Sequence, residues 1–89
     1  MITVNTTQKT QRDLAKLDKM VRIAAYQAMQ QLEDFPQVTE IEPLKGQGLG
    51  WWRKKFKKDW RLIFFVDEVT EVITVIQIIH RKNEYKDFN

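Results

Sequence analysis

The chain has no cysteine among its 89 residues and only one histidine, His80. Disulfide bonds and thiolate metal sites are therefore excluded, and a single histidine forms a zinc site only with the help of several carboxylates. We accordingly expect no metal and no other cofactor. Stability must come from the packing of a hydrophobic core.

The chain also lacks any apolar run long enough to cross a bilayer, and it does not begin with a basic and then apolar leader. We therefore expect a cytosolic protein with no membrane partner. At this length a second core could not be closed from what remains of the chain, so residues 1–89 are predicted to form one domain.

Positive charge is concentrated in the second half of the chain. Residues 1–44 hold five Lys or Arg against six Asp or Glu, a balance of −1, and residues 45–89 hold ten against six, a balance of +4. Six of those ten cations fall between Arg53 and Arg61. Such a patch raises the local concentration of anions and favours encounter with RNA or DNA, although the isoelectric point alone identifies no partner.

The first 36 residues predict a strand followed by a helical hairpin. Residues 1–6 alternate apolar and polar side chains, as a short strand does. Thr6 or Thr7 is suited to cap a first helix, and Asp18 a second helix with a single apolar stripe. Pro36 ends the hairpin because proline donates no helical hydrogen bond.

The rest of the chain predicts a loop and three strands. All three glycines lie in residues 37–50, which are expected to be a loop, and residues 51–57, 60–66 and 71–80 read as strands. Residues 67–70 form the turn of a hairpin. The result is an α+β fold in which an N-terminal strand and a helical hairpin pack on a small, twisted, mainly antiparallel sheet.

The last two strands, LIFFV and VITVIQII, are almost continuous apolar runs, which indicates that both of their faces are covered. The helical hairpin is one cover. The other is the C-terminal tail, a loop or a partner protein.

The basic strand directs alternate side chains to opposite faces of the sheet. Arg61 begins the next strand, and Arg81 follows the last one, so the two converge near one end of the sheet if these strands pair. Convergent arginines with aromatic neighbours suit a phosphate and a stacked base. The two alternating sets are Arg53, Lys55 and Lys57 on one face, and Lys54, Phe56 and Lys58 on the other.

These residues also have ordinary structural interpretations. Lysines often protect an edge strand from aggregation, which would account for Lys57 and Lys58. Tryptophans are more often core or partner contacts than platforms for bases. A histidine at a strand end, such as His80, is usually solvated.

Three short phrases stand out in the order of elements: EPLKG at residues 42–46, WRLIF at 60–64 and HRKNEY at 80–85. Together with that order they resemble the RelE/ParE superfamily of small bacterial toxins, and the match runs over nearly the whole chain. The resemblance implies a RelE-like toxin fold, a bacterial cytoplasmic location and an antitoxin partner in a possible hetero-oligomer. In the RelE-like branch it also implies cleavage of mRNA in the ribosomal A site.

The resemblance implies roles for individual residues of a metal-free endoribonuclease. Arg61 matches the arginine on the scissile phosphate, Arg81 matches a second active-site arginine, and Tyr85 matches the C-terminal tyrosine. Glu42 looks like the general base of YoeB-like members. The proposed contacts to RNA are Arg53, Lys55, Lys57, Lys58 and Lys45.

Two assignments stay open at this point. The base is either Glu42, whose pKa neighbouring cations would lower, or Lys54, whose pKa would fall because Arg53 and Lys55 crowd it. The acid is either His80, which has the right unperturbed pKa, or Tyr85, which has the family precedent.

Three functions are consistent with these residues. The first is a ribosome-dependent mRNA endoribonuclease that inhibits translation. The second is a ParE-like poison of DNA gyrase, which acts by binding a protein without nuclease activity. The third is a simple RNA-binding domain.

Overall fold

The structure, a computed structural model, describes residues 1–46 and 48–82. Within these ranges the chain order is strand, two helices and four further strands. The elements are β1 (Thr3–Thr6), α1 (Gln8–Lys16), α2 (Lys19–Gln31), a 3-10 turn (Leu32–Asp34), β2 (Ile41–Pro43), β3 (Trp51–Phe56), β4 (Trp60–Asp67) and β5 (Val72–His80).

Both helices begin at the predicted caps. The Thr7 side chain accepts a hydrogen bond from the backbone N–H of Thr10, and Asp18 accepts from two backbone amides in the first turn of α2. The Thr10 hydroxyl is buried and donates to the carbonyl of Val75 at 2.7 Å, which ties α1 to β5. Local capping therefore sets where the helices start, and one buried hydrogen bond helps to dock the hairpin.

The five strands form one sheet in the order β1-β5-β4-β3-β2. β1 runs parallel to β5, and the other neighbours are antiparallel, so the predicted α+β fold with a mainly antiparallel sheet is confirmed. One strand was not predicted, because β2 lies inside the expected loop 37–50. It has three residues and ends in a proline, too short for an alternating pattern, and its pairing with β3 defines it.

The end of β3 also differs from the prediction. The strand stops at Phe56, and Lys57 and Lys58 lie in the turn to β4 with φ of 46° and 68°. This left-handed backbone takes both lysines out of the pleat. The prediction that Lys57 shares a face with Arg53, and that Lys58 belongs to the opposite face, is therefore wrong.

The helices cover one side of the sheet, which we call the helix face. Leu62 and Phe64 of β4 are fully buried there in one cluster with Leu14 of α1 and Ala25 of α2. The opposite side is called the outer face. Ile63, which alternates with these β4 residues, is also fully buried, as the continuous apolar run predicted.

The tryptophans divide between the two faces. Trp52 packs against the core, with its ring 5.3 Å from that of Phe35, and Trp60 also contacts the core. Trp51 pairs with Phe65 on the outer face, at a ring distance of 5.2 Å.

Candidate active site on the outer face

The register of three strands brings four charged residues to the outer face. Glu42 of β2 pairs with Arg53 of β3, and Lys55 of β3 pairs with Arg61 of β4. Because Arg53 and Lys55 are two residues apart in one strand, they project to the same side. We call Glu42, Arg53, Lys55 and Arg61 the outer-face cluster.

Glu42 is the carboxylate of the outer-face cluster. Arg53 Nε donates to Glu42 Oε1 at 2.7 Å, Arg53 Nη2 approaches the same oxygen, and Lys55 Nζ lies 3.9 Å from it. The hydrogen bond from Arg53 is the largest influence on the pKa of Glu42. It outweighs partial desolvation and, with the charges of Arg53, Lys55 and Arg61, holds that pKa below its usual range. Glu42 is therefore ionised at neutral pH.

Arg61 is the most buried cation of the outer-face cluster, with 8% of the residue exposed. Its Nη1 donates to the carbonyl of Lys58 at 3.1 Å and to that of Trp60 at 3.0 Å. The turn between β3 and β4 thus holds the guanidinium in one position. A fixed cation of this kind stabilises an anion without having to reorganise.

Arg81 lies at the same end of the sheet as Arg61. Its backbone N–H donates to the carbonyl of Asp59 at 2.7 Å, and its Nε lies 3.8 Å from Asp59 Oδ1. The Arg81 side chain is 61% exposed, so it is available to a ligand. Asp59 was not among the predicted site residues, and the pairing of β4 with β5, which ends at Trp60 and His80, brings it beside Arg81.

Lys54 does not join the outer-face cluster. It pairs with Leu62 on the helix face, it is only 2% exposed, and its Nζ donates to the carbonyl of Thr39 at 2.8 Å. Burial lowers the pKa of Lys54, and the charge of Glu40 opposes that shift. The predicted role as general base does not agree with this position, because Arg61 projects from the other side of the sheet.

His80 also belongs to the helix face. It pairs with Trp60, and the two rings meet edge to face with centroids 5.1 Å apart. Its Nδ1 accepts a hydrogen bond from the backbone N–H of Lys82 at 3.2 Å. Of the two predicted acids, His80 is thus separated by the sheet from the outer-face cluster, and Tyr85 lies outside the described residues.

The remaining predicted contacts to RNA lie in turns. Lys57 and Lys58 are exposed in the turn between β3 and β4, and Lys45 is exposed in the turn that follows β2. All three therefore present their ammonium groups to solvent, whereas Arg53 and Arg61 make hydrogen bonds within the sheet and its turn.

Two wider features of the described residues bear on the kind of site. Among residues 1–46 and 48–82, no group of three or more His, Cys, Asp or Glu is placed to hold a metal ion. In the same part of the chain, no helix is long and apolar enough to span a membrane.

Residues 4–85 match the model of the family described as the ParE toxin of the type II toxin-antitoxin system, parDE. The chain belongs to the ParE toxin family. This ParE-family chain is accordingly a toxin of a type II toxin-antitoxin system within the RelE/ParE superfamily. No curated protein sequence is similar enough to be counted as its relative.

Solved toxin structures share the fold of this ParE-family toxin. The isolated RelE toxin of Escherichia coli has 18% identity and a TM-score of 0.76, covering 98% of this chain and 94% of its own. A chain of the RelB-RelE complex of Methanococcus jannaschii has 16% identity and a TM-score of 0.77, covering 96% and 99%. The YoeB/ParE toxin of Agrobacterium tumefaciens has 19% identity and a TM-score of 0.73, covering 89% and 98%. At these identities the likeness shows the fold alone.

Proposed function

We propose that this toxin is a ribosome-dependent mRNA endoribonuclease that inhibits translation. The observation that supports it best is the outer-face cluster, in which three cations and one carboxylate meet on one side of the sheet. Cations suit the phosphates of RNA, and a carboxylate among them suits proton transfer. The function needs no metal, because the charge of the reacting phosphate is met by arginine.

The proposed reaction is attack of a 2′-hydroxyl on the neighbouring phosphate. The 2′-O–P bond forms, the P–O5′ bond breaks, and the products are a 2′,3′-cyclic phosphate and a free 5′-hydroxyl. Arg61, fixed by the turn, stabilises the negative charge that grows on the phosphate oxygens. Arg81 supplies a second guanidinium at the same end of the sheet.

Two proton transfers complete the reaction. Glu42, ionised at neutral pH, accepts the proton of the 2′-hydroxyl. The leaving 5′-oxygen takes a proton from an acid, for which Tyr85 stays the prediction because His80 lies on the helix face. Solvent restores both groups.

Binding to the ribosome rests on the cations around this site. Arg53 and Lys55 belong to the outer-face cluster, and Lys45, Lys57 and Lys58 lie exposed in turns. Contacts to phosphates release counterions, which gives affinity without sequence readout. Ribosomal RNA would then fix the geometry of the substrate, so weak activity on free RNA is expected.

An antitoxin is the second proposed partner. Several structures with this fold are toxin-antitoxin complexes, including RelBE2 of Mycobacterium tuberculosis and RelB-RelE of Methanococcus jannaschii. An acidic antitoxin segment that covers the basic outer face or the β2 edge would block RNA by charge and by occlusion. If the antitoxin blocks RNA in this way, the toxin-antitoxin complex should not bind ribosomes.

The test is to map 5′ ends of mRNA in a translating extract with wild-type protein or Arg61→Lys. Lysine keeps the charge but lacks the guanidinium fork, so we expect cleavage within codons to fall about a hundredfold, the loss that removal of one fixed donor of about 3 kcal/mol gives. Arg12→Lys, an exposed change in α1, is the matched control. Circular dichroism confirms that both variants fold.

The gyrase poison is the second candidate, and the ParE family match over residues 4–85 favours it. Intact mRNA together with inhibited growth would contradict the nuclease, and a gyrase supercoiling assay would then test the poison. If Arg61→Lys lowers ribosome affinity while the wild type cuts nothing, the simple RNA-binding domain is the better account.

A further inference from the structure

The pair formed by Arg53 and Glu42 joins the two outermost strands at one edge of the sheet. Arg53 directs both Nε and Nη2 to a single carboxylate oxygen of Glu42, the Nε contact being 2.7 Å. An arginine fork offers these donors to a carboxylate and to a phosphate in the same geometry. The Glu42 carboxylate thus occupies the place from which Arg53 would bind a phosphate oxygen.

Glu42 is placed so that an incoming anion is able to displace it. It lies on β2, a three-residue edge strand, and its side chain is 43% exposed. Lys55 Nζ, at 3.9 Å, is too far from it to donate a hydrogen bond. A half-exposed ion pair contributes little stability, whereas an RNA strand brings several phosphates to the same surface.

Displacement would also change the chemistry of Glu42. The hydrogen bond from Arg53 is the first cause of its low pKa, so an ion-paired Glu42 is a weak base. Once a phosphate holds Arg53, that hydrogen bond is gone and a negative charge lies nearby. Both changes raise the proton affinity of the carboxylate.

We infer that Glu42 is an internal counter-ion that competes with an RNA phosphate for Arg53, and that binding of the phosphate releases Glu42 to act as the base. This inference rests on the proposed nuclease function and deepens it. Arg53 is then a residue for which Glu42 and the RNA phosphate compete. In the free toxin Glu42 is held by Arg53 and is inactive as a base until a substrate phosphate takes its place on Arg53.

The test measures fluorescence anisotropy of a labelled single-stranded 2′-O-methyl RNA, which has no 2′-hydroxyl proton and is not cleaved. Glu42→Gln should bind it about fivefold more tightly, the effect of removing a partly exposed ion pair. The plot of log affinity against log salt should become steeper by about 0.7, the value for one more phosphate contact on a single strand. Glu40→Gln, which removes the same charge two residues away, is the control and should match the wild type.

A double-mutant cycle assigns the effect to Arg53. In the Arg53→Gln background, Glu42→Gln should give no gain in affinity. In a translating extract, Glu42→Gln should need less toxin for half-maximal cleavage while its maximal rate falls, a split that a merely structural role would not produce.

Several results would overturn the inference. Equal tightening by Glu42→Gln and Glu40→Gln would indicate a general charge effect, and a gain that persists without Arg53 would exclude competition. Weaker binding by a folded Glu42→Gln would reverse the assigned role. A wild type that binds neither the oligonucleotide nor ribosomes overturns the proposed function as well, whereas normal wild-type binding without a selective gain overturns this inference alone.

Discussion

At the scale of single residues, two neighbours in one strand illustrate how the sheet separates charge. Lys54 is buried under the helices and bonded to the Thr39 carbonyl, whereas Lys55 is 45% exposed beside the Glu42 carboxylate. One is a desolvated ammonium with a lowered pKa, and the other belongs to the candidate site. Function at this scale depends on which face a cation occupies.

Replacing Lys54 by methionine tests this division. The pKa of Lys54 is lower in the folded chain than in the unfolded chain. Between these two pKa values the unfolded chain therefore binds more protons. The free energy of unfolding of the wild type thus rises as pH increases through this range. Methionine has no charge to desolvate. The free energy of unfolding of Lys54→Met minus that of the wild type should therefore be larger at pH 7 than at pH 10. Urea unfolding at both pH values measures the difference.

The same variant separates structure from catalysis. Since Lys54 lies on the helix face, Lys54→Met should cleave ribosome-bound mRNA within about threefold of the wild type, a change of less than 1 kcal/mol in the barrier. A hundredfold loss of cleavage by a folded Lys54→Met protein would restore Lys54 as the candidate base.

At the scale of elements, docking of the helical hairpin on the sheet depends on a few polar contacts between apolar surfaces. Thr10 of α1 is completely buried, and its hydroxyl donates to the carbonyl of Val75 and lies 3.1 Å from the Thr7 hydroxyl, from which it is able to accept. A buried hydroxyl without these partners would be unfavourable. The hydrogen bonds therefore fix how α1 sits on β5.

Thr10→Val should lower the free energy of unfolding by about 1 to 3 kcal/mol, because the Val75 carbonyl loses a buried donor while the side-chain shape is nearly kept. Thr70→Val, at an exposed turn position, is the matched control and should change little. Urea denaturation of both variants gives the comparison. Equal stability of the two variants would show that the hydrogen bond contributes nothing to docking.

At the scale of the whole molecule, the charge is divided between the two halves of the chain. The N-terminal half, which includes both helices, has a balance of −1, and the C-terminal half has a balance of +4. Since β3, β4 and the turn between them hold six of the ten cations of residues 45–89, the positive field is strongest around the outer face and the turns beside it. A ribosome should thus approach the sheet and not the helices.

Two triple variants with the same charge change test this orientation. Lys45, Lys57 and Lys58 changed together to Gln should weaken ribosome binding about tenfold or more and flatten its dependence on salt. Arg12, Lys16 and Lys19 changed together to Gln remove three charges from exposed helix positions and should leave binding nearly unchanged. Co-sedimentation with ribosomes at several salt concentrations measures both, and equal weakening would contradict a directed surface.

Local chemistry in the sequence determined both helices and four of the five strands. Thr7 and Asp18 predict where the helices start, because a helix cap needs only a side-chain oxygen that accepts from backbone N–H groups two or three residues further on. The apolar runs of β4 and β5 predict strands covered on both faces. Leu62 and Ile63, which lie on opposite faces of β4, are both fully buried. Each of these patterns depends only on residues that lie close together in the chain.

Only the tertiary structure decided how the site is assembled. Alternation separates Lys54 from Lys55, but packing of the helices selects which of them is buried. β2 exists because β3, the next strand along the chain, pairs with it, and that pairing brings Glu42 to Arg53. A three-residue strand leaves no periodic pattern in a sequence, because its stability comes from pairing and packing with residues outside it.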